Sequence, residues 1–285
     1  MTKYKLLAVD IDGTLLGPGS RLSDRHGTAV RLAKEAGLTV CLCTGRSVAE
    51  THPVWRACAF GGRADPMICI SGALVCEGDS ARTLRIEPIA RAAAAAGAKA
   101  IVRAGRSVVA LVDGWRWGFD YYLLEADDAA AVRAKWLDRH DCRVRVVTSL
   151  DDTPEPAEIL RLTVFADHAA EAVQANLAAC ADGQLQVGRI HAPNLGVDLL
   201  ECFAPAASKW GGIRYVAQGL RVAKSDIVAV GDDVNDLSML QNVGLPIAMG
   251  NACPSVKAAA RVTIGRHDED GLAPFIEQLV AGKYD

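Results

Sequence analysis

An excess of positive charge is missing from this chain: 31 Lys and Arg stand against 34 Asp and Glu, for a formal net charge of −3 and a pI near 6.1. No Lys/Arg cluster adjoins an apolar helix, so neither nucleic acid nor a membrane is an expected partner; a local cationic site is still compatible with this balance. Paired-cysteine motifs are missing as well. Nine cysteines occur without one Cys-x-x-Cys or a repeating framework, and Cys41, Cys43 and Cys69 fall in apolar, strand-like runs. That argues against a disulfide scaffold and for reduced core thiols in a cytoplasmic protein. Long hydrophobic runs are absent too: the alanines from Ala92 to Ala96 are interrupted by Gly97 and Lys99, far short of a membrane span. The N-terminus carries no signal-type apolar stretch, so a soluble, unexported protein is expected.

What is present is enough apolar material for a large core: 285 residues with 51% hydrophobic content suit one large domain or a core with an insert. Lys5 to Val9 is a short apolar run; Ser23 can cap a helix through Ala36 that stops at Gly37; Leu38 to Cys43 is apolar again. Met67 to Ile70, Asp226 to Val230 and Leu245 to Met249 repeat the short buried-strand pattern. Buried strands alternating with helices predict an α/β fold built on a doubly wound parallel sheet. The middle differs. Ser107 to Val112 and Trp115 to Phe119 flank Asp113-Gly114, a pair suited to a two-residue hairpin turn, which would place Trp115 and Trp117 on one strand face. The expectation is an inserted α+β domain over 84–188, dividing a core made of 1–83 and 189–285.

In a parallel sheet the ligand site lies beyond the carboxyl ends of the strands. Asp10 and Asp12 follow the first strand, Thr44-Gly45-Arg46 the second, and Gly231-Asp232-Asp233-Val234-Asn235-Asp236 a later one, so three polar clusters should converge on one edge. Bringing Asp10, Asp232 and Asp236 together without a cation is costly, because two unit charges about 4 Å apart repel by roughly 4 kcal/mol at an effective dielectric of about 20. All-oxygen ligands with no neighbouring His or Cys suit Mg²⁺, which commonly bridges carboxylates and a substrate phosphate. Metal-assisted phosphate chemistry follows as the expectation.

Taken together, Asp10-Ile11-Asp12-Gly13-Thr14-Leu15, Gly37-Leu38-Thr39-Val40 leading to Thr44-Gly45-Arg46, Lys209, Gly231 to Asp236, Ala248-Met249-Gly250-Asn251-Ala252 and Glu269-Asp270-Gly271-Leu272 form an ordered set. In that order the chain resembles the haloacid dehalogenase superfamily, specifically its Cof-type phosphatases with a large C2-type cap. The resemblance implies a Rossmann-like core and a Mg²⁺-dependent phosphatase acting on a small phosphorylated metabolite, such as a sugar phosphate. It implies Asp10 as the nucleophile that forms an aspartyl-phosphate, Asp12 as general acid and base, and Lys209 as the cation facing the phosphoryl group. Thr44, Gly45, Arg46 and Asn235 would lie at the substrate. The metal would be held by Asp10, the Asp12 carbonyl and Asp232, with Asp236 ligating it or holding its water.

The chain departs from that family in having Ser71-Gly72 where Asn-Gly is frequent, and Ser208-Lys209-Trp210 where the lysine is usually followed by glycine. Two rival readings remain at this level. A phosphomutase would pass the same aspartyl-phosphate to a second hydroxyl, and a receiver-like protein would keep the metal site without turnover; Asp12 and the large insert speak against the latter. His26, His52, His191 and His267 show no ligand spacing and read as structural or solvated.

Overall fold

The computed structural model describes residues 2–60, 65–139, 142–153, 156–166, 170–192 and 196–285. The chain divides into two compact units, Met1–Arg85 with Ser208–Asp285, and Ile86–Ala207.

The first unit opens with β1 (Leu6–Asp10), a small hairpin of β2 (Leu16–Gly17) and β3 (Arg21–Leu22), α1 (Asp24–Glu35), β4 (Thr39–Cys43), α2 (Val48–Ala57), β5 (Pro66–Cys69), β6 (Leu74–Glu77) and β7 (Thr83–Ile86). The second unit contributes α3 (Arg91–Arg103), β8 (Val108–Leu111), α4 (Gly114–Trp117), β9 (Tyr121–Leu124), α5 (Ala129–Lys135), β10 (Val144–Val146), β11 (Arg161–Ala166), α6 (Ala170–Ala181), β12 (Gln186–Ala192) and β13 (Val197–Phe203). The chain then returns through α7 (Lys209–Leu220), β14 (Ile227–Gly231), α8 (Leu237–Leu240), β15 (Leu245–Ala248), α9 (Pro254–Ala259), β16 (Val262–Thr263) and α10 (Leu272–Val280).

The first sheet has the order β16-β15-β14-β1-β4-β5-β6-β7. It is parallel from β16 to β5, and β6 pairs antiparallel with β5. This is the expected doubly wound α/β core with an antiparallel edge. Successive side chains of a strand point to opposite faces, so β1 serves two cores at once. Leu7 and Val9 join the cluster that includes Ala29 and Val30 of α1 and Phe275 and Ile276 of α10; Leu6 and Ala8 join Ile213 of α7 and Met239 of α8. All five β1 residues are buried, which is why the run reads as continuously apolar until Asp10. Helix α1 starts where expected: the Ser23 side chain accepts a hydrogen bond from the His26 amide at 3.0 Å.

In the second unit the sheet order is β10-β9-β8-β11-β13-β12. Two expectations need correction. The unit runs to Ala207, beyond 188, because β12 and β13 pair with each other and β13 pairs with β11, all antiparallel. And Asp113-Gly114 is not a two-residue hairpin turn. β8 and β9 do pair antiparallel, but Asp113 caps a short helix, its carboxylate accepting from the Trp115 and Arg116 amides at 3.1 and 3.3 Å. An Asp side chain that satisfies two helix-start amides competes directly with the tight turn. Trp115 and Trp117 therefore lie on a helical turn; Trp115 is exposed, and Trp117 donates to Glu158 at 3.0 Å. No described helix is long and apolar enough to cross a membrane.

Between β5 and β6 the backbone does something costly. Ile70, Ser71 and Gly72 have φ of 54°, 52° and 90°, three successive residues in left-handed conformation. For β-branched Ile70 this is a genuine outlier, tolerated where surrounding contacts over-determine it. Here the Ile70 and Ser71 amides donate to the Arg46 and Thr44 carbonyls, both at 2.9 Å. Gly72 has a steric as well as a conformational requirement, since a Cβ there would collide with the Ser208 carbonyl. Gly72→Ala is expected to destabilise the protein by about 1–3 kcal/mol, read as a lower urea midpoint at unchanged m-value.

Candidate active site

β1 and β14 are hydrogen-bonded neighbours, with Val9 opposite Val230. Their carboxyl ends therefore release Asp10 and the 232–236 loop side by side, and carboxylate oxygens of Asp10, Asp232 and Asp236 lie within 4.8 Å of one another. Two glycines make this proximity possible. A Cβ on Gly13, which also has φ of 75°, would collide with the Asp232 carboxylate, and one on Gly231 would collide with Asp236.

Lys209 enters the same space from the first turn of α7, whose start is fixed by the Ser208 hydroxyl accepting from the Gly211 amide at 3.0 Å. Its ammonium donates to Asp10 Oδ1 at 2.5 Å and Asp236 Oδ1 at 2.6 Å, and approaches Asn235 Oδ1 at 3.5 Å. The lysine is only 1% exposed. Burial alone would push such an ammonium down, but Asp10 and then Asp236 outweigh it and hold Lys209 well above its ordinary value. The acids feel the opposite imbalance. Burial, reinforced by Asp236, raises Asp10 well above the usual carboxylate range; burial and the neighbouring carboxylates of Asp236 and Asp233 push Asp232 up to about 6. With all three carboxylates ionised, one ammonium leaves two surplus negative charges in a site where Asp10, Asp236 and Lys209 are buried and Asp232 is half-buried. A divalent cation cancels that surplus, and a donor set made entirely of carboxylate oxygen matches a hard ion such as Mg²⁺.

The members are not equivalent. Asp236 Oδ2 accepts from the Asp232 and Asp233 amides at 2.9 and 3.1 Å, while its Oδ1 holds Lys209. Asp236 thus shapes the loop and seats the lysine. Asp232 is held by side chains instead: Oδ1 accepts from Thr14 at 3.3 Å and Oδ2 from Asn251 at 3.1 Å. Asp12 is separated from the cluster. Its side chain is 55% exposed and forms a two-pronged ion pair with Arg46, one contact being Arg46 Nε to Oδ2 at 2.8 Å. Thr44 is buried at the end of β4, and its hydroxyl accepts from the Arg46 amide at 3.1 Å. Gly45 has no steric need to be glycine, because a Cβ would meet only Ser71 Oγ at an ordinary 3.5 Å. Asp233 caps the following turn, accepting from the Val234 amide at 2.7 Å. Thr14 and Asn251 are the side chains that reading by spacing overlooked; both lay inside the quoted motifs, without a role.

A doubly wound core with clustered carboxylates and a buried lysine at the carboxyl ends of adjacent strands, interrupted by a second, α+β unit, defines a class of hydrolase. The chain belongs to the haloacid dehalogenase-like hydrolase family, whose model matches residues 7–276. It is 28% identical to the pyridoxal phosphate phosphatase YbhA of Escherichia coli K12, over 95% of this chain and 97% of that one. It is 24% identical to the 5-amino-6-(5-phospho-D-ribitylamino)uracil phosphatase YwtE of Bacillus subtilis, over 98% and 99% of the two chains. Among solved structures it matches a haloacid dehalogenase-like hydrolase from Bacteroides thetaiotaomicron with a TM-score of 0.80 at 22% identity, covering 97% of this chain and 99% of that one. A subclass IIB sugar phosphatase of the same superfamily gives a TM-score of 0.75 at 21% identity, covering 96% and 98%.

Removing the lysine should expose the charge imbalance. Lys209→Met leaves Asp10 and Asp236 unpaired and is expected to cost about 3–5 kcal/mol by urea denaturation without metal, the scale for breaking a buried ion pair. The raised Asp232 value has a sign of its own. A carboxyl whose folded pKa lies above its unfolded one binds its proton more tightly when folded, so metal-free stability should fall as pH rises from about 4 through 6. Asp10 carries the same sign. A cation must displace that proton, so the affinity for a divalent cation measured by calorimetry should drop below pH 6 by up to about tenfold per pH unit.

Proposed function

We propose that this protein is a Mg²⁺-dependent phosphomonoester hydrolase that acts on a small phosphorylated metabolite through an aspartyl-phosphate. The observation that carries this reading is the largely buried cluster of Asp10, Asp232, Asp236 and Lys209 at the carboxyl ends of β1 and β14. The relatives named for pyridoxal phosphate and for a phosphoribityl compound support the substrate class. Asp10, Asp232 and the Asp12 carbonyl would hold the metal, with Asp236 at the same cluster. When bound, Mg²⁺ supplies neutralising charge and Lewis acidity at phosphoryl oxygen.

The chain's own groups then divide the work. An Asp10 carboxylate oxygen attacks phosphorus, forming the acyl phosphate as the bond to the leaving oxygen breaks. Asp12 gives that oxygen a proton and takes one back from the water that releases phosphate and regenerates Asp10. To do either, Asp12 must first leave Arg46, so the ion pair serves as a resting position for the side chain. Lys209 holds the nucleophile and faces the transferred group, with Asn235 beside its ammonium. Thr44, Gly45 and Arg46 border the phosphoryl group.

The magnitudes require this cooperation. Enzymatic acceleration of phosphate-monoester hydrolysis reaches about 10²¹-fold, roughly 29 kcal/mol, whereas one general acid or base supplies only about 10²–10⁴-fold. Charge neutralisation and positioned donors carry the larger share.

A phosphomonoester panel with Mg²⁺, including sugar phosphates and pyridoxal phosphate, tests the assignment through released phosphate. Asp10→Asn should abolish turnover, and Asp12→Asn should lower kcat by about 10²–10⁴-fold. Release of phosphate without any isomerised sugar phosphate separates hydrolysis from mutase activity. Activity retained in both variants would overturn the roles given to the two acids.

A further inference from the structure

Asn251 lies between β15 and α9, outside the cluster of charged groups, and every polar atom of its side chain is committed. Its Nδ2 donates to the Gly13 carbonyl at 2.9 Å and to Asp232 Oδ2 at 3.1 Å. Its Oδ1 accepts from the His267 amide at 3.0 Å. His267 continues the connection, its Nδ1 lying 2.9 Å from the Leu16 carbonyl. One amide thus ties together the turn after Asp12, the Asp232 carboxylate and the loop leading into α10.

We propose that Asn251 is a positioning residue for the cation: it fixes the rotation of the Asp232 carboxylate and the place of the turn that follows Asp10 and Asp12. This inference rests on the metal reading given above. A carboxylate free to rotate about its terminal torsion presents its lone pairs over a broad range, and that torsion has no sharp rotamer wells. Here Thr14 pins one oxygen and Asn251 the other, so the ligand is oriented before the ion arrives. The two pins come from different places. Thr14 belongs to the same turn as the nucleophile, whereas Asn251 comes from the far side of β14 and sets the distance between the β1 and β14 loops. Its two donors require an amide: an alkyl side chain would leave Gly13 and Asp232 unheld, and a hydroxyl at this Cα is too short to reach both. Orienting groups of this kind commonly contribute about 10–100-fold to metal affinity.

The test is Mg²⁺ titration of metal-free full-length protein, wild type against Asn251→Ala and Asn251→Ser, by calorimetry and by thermal shift. The expected result is a Mg²⁺ dissociation constant raised about 10–100-fold in both variants, with kcat at saturating Mg²⁺ recovered to within about threefold. A purely structural role would lower the metal-free melting temperature and leave the dissociation constant unchanged. Variant affinities within about twofold of wild type, in either variant that folds, would overturn the inference alone. Should Asn251→Ala fail to fold, Asn251→Ser decides; if neither folds, Asn251 is a structural residue and the inference is overturned. Wild-type protein that binds no Mg²⁺ would overturn the metal reading, and this inference with it.

Discussion

A single buried ammonium facing more negative charge than it can neutralise is the constraint on which the rest of this site depends. Lys209 is almost wholly removed from water, and its hydrogen bonds go to Asp10 and Asp236. Burying an ion is tolerable only with a partner of opposite sign, and gathering three carboxylates, two of them buried, around one lysine leaves the balance open. The protein closes the geometry with great specificity yet leaves the electrostatics incomplete by two charges. That arrangement favours a doubly charged cation, and it keeps an ammonium beside Asp10 in the absence of one. Stability is given up locally for a site that is ready before its ligand arrives.

The two acids at the end of β1 illustrate how far environment separates identical side chains. Asp10 is the last residue of a buried strand and faces Lys209; Asp12, two residues later, has left the strand and reaches Arg46 at the surface. Gly13 turns the chain immediately afterwards, and only a residue without a Cβ can do so against Asp232. In the roles proposed above, a nucleophile needs fixed placement, whereas a group that exchanges protons with a leaving group and with water needs access and freedom to move. Burial of one and exposure of the other meet those different needs.

The edge formed by β4, β5 and the Ile70-Ser71-Gly72 turn has a related logic. Three left-handed residues in succession are held by hydrogen bonds to the backbone of Thr44 and Arg46, and Gly72 lets this turn approach Ser208 at the start of α7. The backbone that presents Thr44 and the helix that presents Lys209 are thereby packed against each other. Ser71 adopts φ of 52°, a left-handed conformation that is uncommon for a residue other than glycine, and its amide bond to the Thr44 carbonyl helps hold it there.

Much of this was legible without coordinates. Short buried strands ending in acids, the Ser23 cap, and the order of the motifs determined a doubly wound core and which loops meet, because side-chain periodicity and the strand-end rule are local and repetitive signals. The second unit was less readable. Asp113 could serve a turn or a cap, and the β12–β13 pair declares its sheet only through the pairing of β13 with β11, a long-range hydrogen-bond pattern that no window of sequence contains. The chemistry-bearing residue types were likewise written in the chain, but their division of labour was not. That Asp236 is occupied with Lys209 and two amides, that Asp12 lies with Arg46, and that Asn251 reaches Asp232 across 19 positions are decided by tertiary structure. Hydrogen bonds and charge compensation depend on distances of a few ångströms between segments remote in sequence, and only the folded backbone sets those.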